Sequence, residues 1–438
     1  MLDPTKKPAV RAACAALLMA LCSLPARAGA EGEGEEKGAL DWGARLRLRQ
    51  AYIRNPFDLE DDNADDWNYF RVRSQLWGSW APDATWKAFA MINNEHRHWL
   101  KSHDGRESED FEIDEVIFEN LYLEGKGIAG TPFGFRAGRQ NIFYGEGFLC
   151  WDGGPLDGSR TAYFNAVLLT ADLGGRRVDI HFISNPETDE YLPVVNDQDK
   201  GLIEWDETGA GIYYIDDSFG NAKLEGYYFY KNEDDPGGVF PESDIHTVGA
   251  RASSAGGGRL SWAAEWATQI GDRGESERLG YGGYAHGSLL LPVETPLSVK
   301  AGGLYLSGDD PDTEDYEGWN PLYSRWPKWS ELFIYTLATE KGIAYWQNLA
   351  MGWVGLDYGV RERIELEGRV KMMWAPQDRA AAWEGGNYRG TLTVLKLNWS
   401  WTENLSGHLL WETLQPGGWY GDGAGASHFL RWEIFLRY

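Results

Sequence analysis

The stretch Phe70–Trp80, FRVRSQLWGSW, changes character at every residue. Phe70, Val72, Ser74, Leu76, Gly78 and Trp80 fall on one face, and Arg71, Arg73, Gln75, Trp77 and Ser79 on the other. Successive side chains of a strand point to opposite sides, so period-two alternation predicts a strand with one apolar and one polar face. The pattern recurs along the chain. Ile364, Leu366, Val370, Met372 and Trp374 oppose Arg363, Glu365, Glu367, Arg369 and Lys371. Leu46 and Leu48 oppose Arg45, Arg47 and Arg49, and Leu260, Trp262 and Trp266 oppose Ser261, Ala263, Glu265 and Ala267. The last stretch, HFLRWEIFLRY, sets Leu430, Trp432, Ile434 and Leu436 against Arg431, Glu433 and Arg437, with Phe429 and Phe435 interrupting the polar side.

Short turn clusters (APDAT, DLGGRR, SSAGGGR, TEN) and long acidic stretches rich in Gly and Pro (NPFDLEDDNADD, NPETDEYLPVVNDQDKG, KNEDDPGGVFPESD, SGDDPDTEDYEGWNP) separate the runs. The rhythm is strand, short turn, strand, long polar loop, for about 18 strands in all. One segment departs from it. In PKWSELFIYTLATEKG, Ser330 is placed as an N-cap and Gly342 as the residue after the last turn, which predicts a short helix over Glu331–Lys341 within a long loop.

The first residues carry Lys6, Lys7 and Arg11, then the apolar run AACAALLMALCSL, then Pro25 and ARA. That order reads as a secretory signal cleaved after Ala28, because the run is short for a span of about 20 residues. We therefore divide the chain into a signal peptide (1–28), an acidic Gly-rich segment (29–40) and one continuous domain (41–438). Cys14 and Cys22 leave with the signal, so Cys150 alone remains and no internal disulfide forms. Mean hydropathy is −0.47 and no long apolar segment follows the signal, which excludes a helical membrane protein. Yet the chain carries 22 Trp, 22 Tyr and 54 Gly, a heavy aromatic load for so polar a background. Phosphate contact needs a basic face, and a net charge of −26 argues against nucleic acid as a partner.

Two architectures suit such strands. A soluble sandwich, propeller or β-helix buries the apolar face inward, whereas a membrane barrel turns it to lipid and keeps the polar face in a wet lumen. The export signal, the ladders of Arg and Glu on the polar faces, and the Trp near strand ends (LWGSW, LNWSW, EWAT) favour the second. In lipid every backbone group needs a partner, and for strands closure alone supplies it. The expected fold is all-β, a transmembrane antiparallel β-barrel in the outer membrane of a Gram-negative-type bacterium.

Three stretches sharpen this reading. In FRAGRQNIFYGEGFL, followed by DGSRTAYFNAVLL, a strand ends in Gly-Arg-Gln and is followed by a Gly-bearing turn, a loop holding Asp and Arg, and another strand. The positions are Gly138, Arg139, Gln140, Gly145, Gly147, Asp157, Arg160 and Phe164. In WNPLYSRWPKW, ahead of GIAYWQNLAMG, they are Pro321, Leu322, Tyr323, Gln347, Asn348 and Leu349. These stretches resemble the alginate export family of outer-membrane barrels; the third, the C-terminal strand, is shared by most such barrels. The resemblance implies a barrel of about 18 strands exporting an anionic polysaccharide through an Arg-rich pore. It also implies that Tyr438 resembles the aromatic end read by the barrel assembly machinery. The very acidic loops depart from a dedicated alginate exporter.

If the apolar faces meet lipid, parity sends Arg45, Arg47, Arg49, Arg71, Arg73, Arg136 and Arg369 to the lumen, with Arg139 just past the alternation and Arg160 in the Asp/Arg loop. Arginine keeps its charge and forks onto carboxylates, and rings of such residues select anions. The competing reading is that these arginines pair with Glu119, Glu265, Glu365, Glu367 or Glu433 and only stiffen the wall. DLEDDNADD and DDPDTED lack the spacing of a calcium loop, and His96 and His98 with His103 lack a further converging ligand for zinc, so no metal or cofactor is expected. Ser and His form no nucleophile signature, so no enzyme is expected. The leading expectation is an outer-membrane channel exporting an anionic polysaccharide such as alginate. A diffusion porin for small anionic solutes or sugars, and a binding or structural barrel with a blocked lumen, are the alternatives. Outer-membrane lipid is an expected partner in each.

Overall fold

The computed structural model describes residues 39–438 apart from 57–58, 60–65, 103–109, 112, 152–162, 199–202, 204, 236, 325–328, 333–346 and 379–385. Its strands are β1 (Ala39–Arg54), β2 (Trp67–Ala81), β3 (Trp86–Lys101), β4 (Asp110–Phe111), β5 (Ile117–Gly125), β6 (Phe133–Gln140), β7 (Phe164–Asp172), β8 (Arg176–Asn185), β9 (Asp206–Asp216) and β10 (Ala222–Asp234). The series continues with β11 (Ser243–Ser254), β12 (Leu260–Arg273), β13 (Ser276–Leu290), β14 (Leu297–Leu306), β15 (Leu349–Arg361), β16 (Ile364–Trp374), β17 (Tyr388–Ser400), β18 (Leu405–Pro416) and β19 (Ser427–Arg437). Each strand pairs antiparallel with its neighbours in the chain, and β19 pairs back onto β1, from Arg45↔Arg437 to Arg54↔His428. β4 is a two-residue piece beside β3, so the wall is a closed barrel of 18 strands. An even number is what an all-antiparallel closure requires, since the last strand must run opposite to the first.

Most connections alternate in length, the two-residue β12–β13 turn at 274–275 excepted. At one end lie 82–85, 173–175, 217–221, 362–363 and 401–404; at the other lie 55–66, 141–163, 186–205 and 307–348. The short end also holds the start of β1 and the end of β19, where the Tyr438 N–H donates to Ala44 O at 2.8 Å. β1 begins at Ala39, two residues before the boundary drawn from sequence. The helix expected over Glu331–Lys341 is not seen: Glu331 and Leu332 lie in a bend and a turn, and 333–341 lies outside the described residues. Glu412 on β18 accepts the Glu331 and Leu332 N–H groups at 3.2 and 3.0 Å, a side chain doing there what a helix start requires of its cap.

The barrel is inside out compared with a soluble domain. Exposed apolar side chains ring its outer face: Leu76 and Trp80, Val167 and Leu169, Trp262 and Trp266, Val354 and Leu356, Val370 and Met372. Buried polar ones line the inner face: Arg49, Arg71, Glu95, Glu225, Arg251, Glu265, Lys371 and Glu412. The registers enforce this sorting. Val354 stands opposite Val370 on the outer face while Asp357 stands opposite Glu367 on the inner one, so paired residues keep to the same face along these strands. A contiguous apolar band of this extent around a polar lumen is the surface expected of strands that meet lipid.

Candidate functional site

The inner wall is densest in charge where the chain closes on itself. Adjacent rows run straight across strands. In one, Arg97 (β3), Arg71 (β2) and Arg49 (β1) stand opposite one another in turn, and Glu433 (β19) follows. In the next, Arg73 (β2) faces Arg47 (β1) on one side and Glu95 (β3) on the other. Like charges placed directly across a strand pair destabilise it. Here Glu95, fully buried, takes the guanidinium groups of Arg47, Arg71 and Arg73 together. Arg49 Nε and Nη2 hold Glu433 at 2.9 and 2.7 Å. Arg45 stands opposite Gln75 and Arg437. Arg431, on the same inner face of β19, reaches Glu331 at 2.6 Å and donates to His408 Nε2 at 3.0 Å. Sequence parity thus places Arg45, Arg47, Arg49, Arg71 and Arg73 on one inner patch.

The remaining sequence candidates scatter. Arg136 is on the inner face of β6 and forks onto Glu124 at 2.6 and 3.2 Å, with Tyr122 beneath it at 4.8 Å. Arg369 pairs with Asp357 and approaches Glu367 at 3.7 Å. Arg139 departs from the lumenal expectation. Its register partner is Leu121, so it lies on the face that carries Leu121 rather than the one that carries Arg136. There it is buried in a bidentate pair with Asp189 at 2.6 and 2.9 Å and lies over the Tyr163 ring at 3.8 Å. That pair anchors the 186–205 loop. Arg160 lies outside the described residues. His96 and His98 share the outer face of β3 with Ile92 and Leu100, away from the lumen, and His103 is outside the described residues.

Two long loops fold into the barrel. From the 141–163 loop, the Tyr144 ring stacks on Tyr213 at 4.0 Å, and its hydroxyl donates to Asp179 at 3.0 Å. Burial, with the Asp179 carboxylate beside it, raises the Tyr144 phenol well above its ordinary range, so it stays a donor. Phe148 stacks on Trp319 at 5.2 Å, and Cys150 is buried, its thiol pushed up by desolvation. From the 307–348 loop, the Asn320 backbone exchanges hydrogen bonds of 2.9 and 2.7 Å with the Gln269 amide, and Lys231 donates to Leu322 O at 2.9 Å. Further on, Lys371 donates to Trp329 O, and Glu412 accepts from Ser330. The two loops meet where Tyr323 N–H donates to Leu149 O at 3.0 Å. Wall strands from β8 to β19 thus hold a partition inside the barrel. Parity reasoning missed Arg97, Arg251 and His286 on the inner wall; Arg97 carries a signal in hindsight, since it shares a face with Glu95.

The sequence from 39 to 428 matches the alginate export family. No curated protein matches the chain. Among solved structures it is similar to Pseudomonas aeruginosa OccK8 (OprE), at 12% identity over 91% of this chain and 98% of that one, with a TM-score of 0.57. Acinetobacter baumannii OccAB4 is similar at 12% identity over 91% of this chain and 97% of that one, TM-score 0.56. Pseudomonas aeruginosa OpdK, solved with vanillate, is similar at 10% identity over 91% of this chain and 98% of that one, TM-score 0.54. At such identities the likeness is one of fold. The family match spans the barrel from β1 into β19, and the chain belongs to the alginate export family.

Proposed function

We propose that this protein is an outer-membrane channel that exports an anionic polysaccharide such as alginate along the arginine wall of β1–β3. The single observation that carries the reading is the row of Arg97, Arg71 and Arg49 on three neighbouring strands, with Arg47 and Arg73 beside it. A wall needs no such row for stiffness, because alternating signs would serve better. A lumen that must attract carboxylates, and release them, has use for a row of arginines on neighbouring strands. Arg45, Arg136 and Arg369 extend the charged lining, each on the inner face of its strand. Residues 1–28 act as the export signal in this reading, the apolar outer band meets lipid, and the assembly machinery engages β19. No catalytic step is invoked; geometry and fixed charge do the work.

The test is the reversal potential of the full barrel in planar bilayers under a salt gradient. We expect anion selectivity, and a clear loss of it in Arg71→Ser/Arg73→Ser. Cation selectivity that those changes leave untouched would overturn the reading. A second reading, a diffusion porin for small anionic solutes, is favoured by the likeness of fold to the Occ porins, one of them solved with vanillate. Passage of glucuronate with exclusion of an oligouronate would select it.

A further inference from the structure

On the opposite side of the barrel from the arginine wall, the inward loop presents one acid to two basic groups. Glu146 lies between Gly145 (φ 56°) and Gly147 (φ 77°), both left-handed. Its carboxylate is 2.9 and 3.1 Å from His286 Nε2 and 3.4 Å from Arg251 Nη2. The Arg251 guanidinium is aimed by other strands: it pairs with Glu225 on β10, lies 3.8 Å from Glu265 on β12, and donates to the Tyr284 hydroxyl on β13 at 3.1 Å. The Glu146 and His286 side chains remain 23% and 28% exposed, so water and solute reach the contact. Rings surround it. Tyr284 stacks on His286 at 5.8 Å, Trp353 lies 6.3 Å from His286, and Trp329 lies 5.8 Å from Tyr284.

We infer that Arg251 and His286 form a carboxylate-binding subsite for one hexuronate unit, and that Glu146 occupies it as a built-in competitor when the channel is empty. The inference rests on the anion-export reading above. Two donors converging from β11 and β13 on one carboxylate are what a uronate requires, and the Glu146 group already shows the fit. Tyr284 and Trp353 supply aromatic surface against which the C–H groups of a pyranose pack. The flanking glycines let the Glu146 peptide swing with little cost in backbone strain. The loop on either side is held, by Tyr144 on Tyr213 and by Phe148 on Trp319, so the exchange is local. When a uronate leaves, Glu146 returns, and the buried Arg251 regains its third acid. A ligand that must displace a competitor binds more weakly by the fraction of sites left open. Weak occupancy is what lets a chain move on instead of stopping.

The experiment titrates the full folded barrel in detergent with D-glucuronate, acetate and D-glucose, followed by calorimetry. Glu146→Gln keeps the size of the side chain and removes its charge. We expect it to bind glucuronate about tenfold tighter than the wild type, as removing a competitor that fills roughly nine sites in ten requires. Glu146→Ala should move affinity in the same direction. Adding His286→Ala should erase the gain, acetate should bind less tightly than glucuronate, and glucose should respond to none of the changes. Equal glucuronate affinity in wild type and Glu146→Gln, or a gain that survives loss of His286, overturns the inference. Equal affinity for acetate overturns the pyranose part of it. The two readings fail separately. Anion selectivity with no gain in Glu146→Gln rejects only the subsite, whereas a cation-selective wild type rejects the export reading and the subsite with it.

Discussion

Gly282 shows how one missing side chain sets the inner surface. It points inward from β13, and the Trp319 ring of the long loop lies against it; a Cβ there would fall 2.6 Å from the Trp319 ring. The ring is 1% exposed, so it has little room to withdraw. Gly282→Ala is expected to cost about 1–3 kcal/mol by overpacking. The check is the unfolding midpoint of the barrel in detergent; an unchanged midpoint would mean that Trp319 is not seated as described. At this scale the inward arginines of β1 and β2 were legible, because period two leaves no freedom over which face a residue takes. Arg139 was not. Its pairing with Asp189 joins residues 50 apart in the chain, and no local pattern marks it.

Strands were also legible as elements, from alternation and from the turn residues between them. The loops were legible only as gaps. SGDDPDTEDYEGWNP reads as a solvated acidic segment, yet Trp319 and Asn320 at its end, and Leu322 and Tyr323 just beyond, are buried. The reason is that an inward loop is stabilised by distant wall residues such as Lys231, Gln269 and Glu412, none of them near it in sequence. The same dependence makes the loop separable by mutation. Glu412→Ala removes an acceptor from the Ser330 hydroxyl and from the Glu331 N–H, and leaves the Leu332 N–H with only Ser330 Oγ at 3.1 Å. Each buried donor left without a partner costs about 1–3 kcal/mol. We expect the 329–332 anchor to release and single-channel current to rise or become noisy. A quiet trace at the wild-type conductance would show that the partition stands without it.

At the scale of the molecule, stability comes from closure. Each of the 18 wall strands has two neighbours, and the pairing of β1 with β19 leaves no open edge along the wall. The expected outcome is anomalous mobility of unheated protein in SDS gels and a shift to the unfolded position on boiling; a single position regardless of heating would count against a closed barrel. Sequence alone determined the all-β class, the approximate strand number and which face is apolar in the strands with clear alternation, because these depend on neighbours one and two residues away. It did not determine what the barrel contains. Only the tertiary structure decided that Glu95 gathers Arg47, Arg71 and Arg73, that two loops partition the lumen, and that Glu146 meets Arg251 and His286. The last of these joins residues 140 positions apart, and such contacts depend on strand order and stagger around a closed wall, which no local pattern encodes.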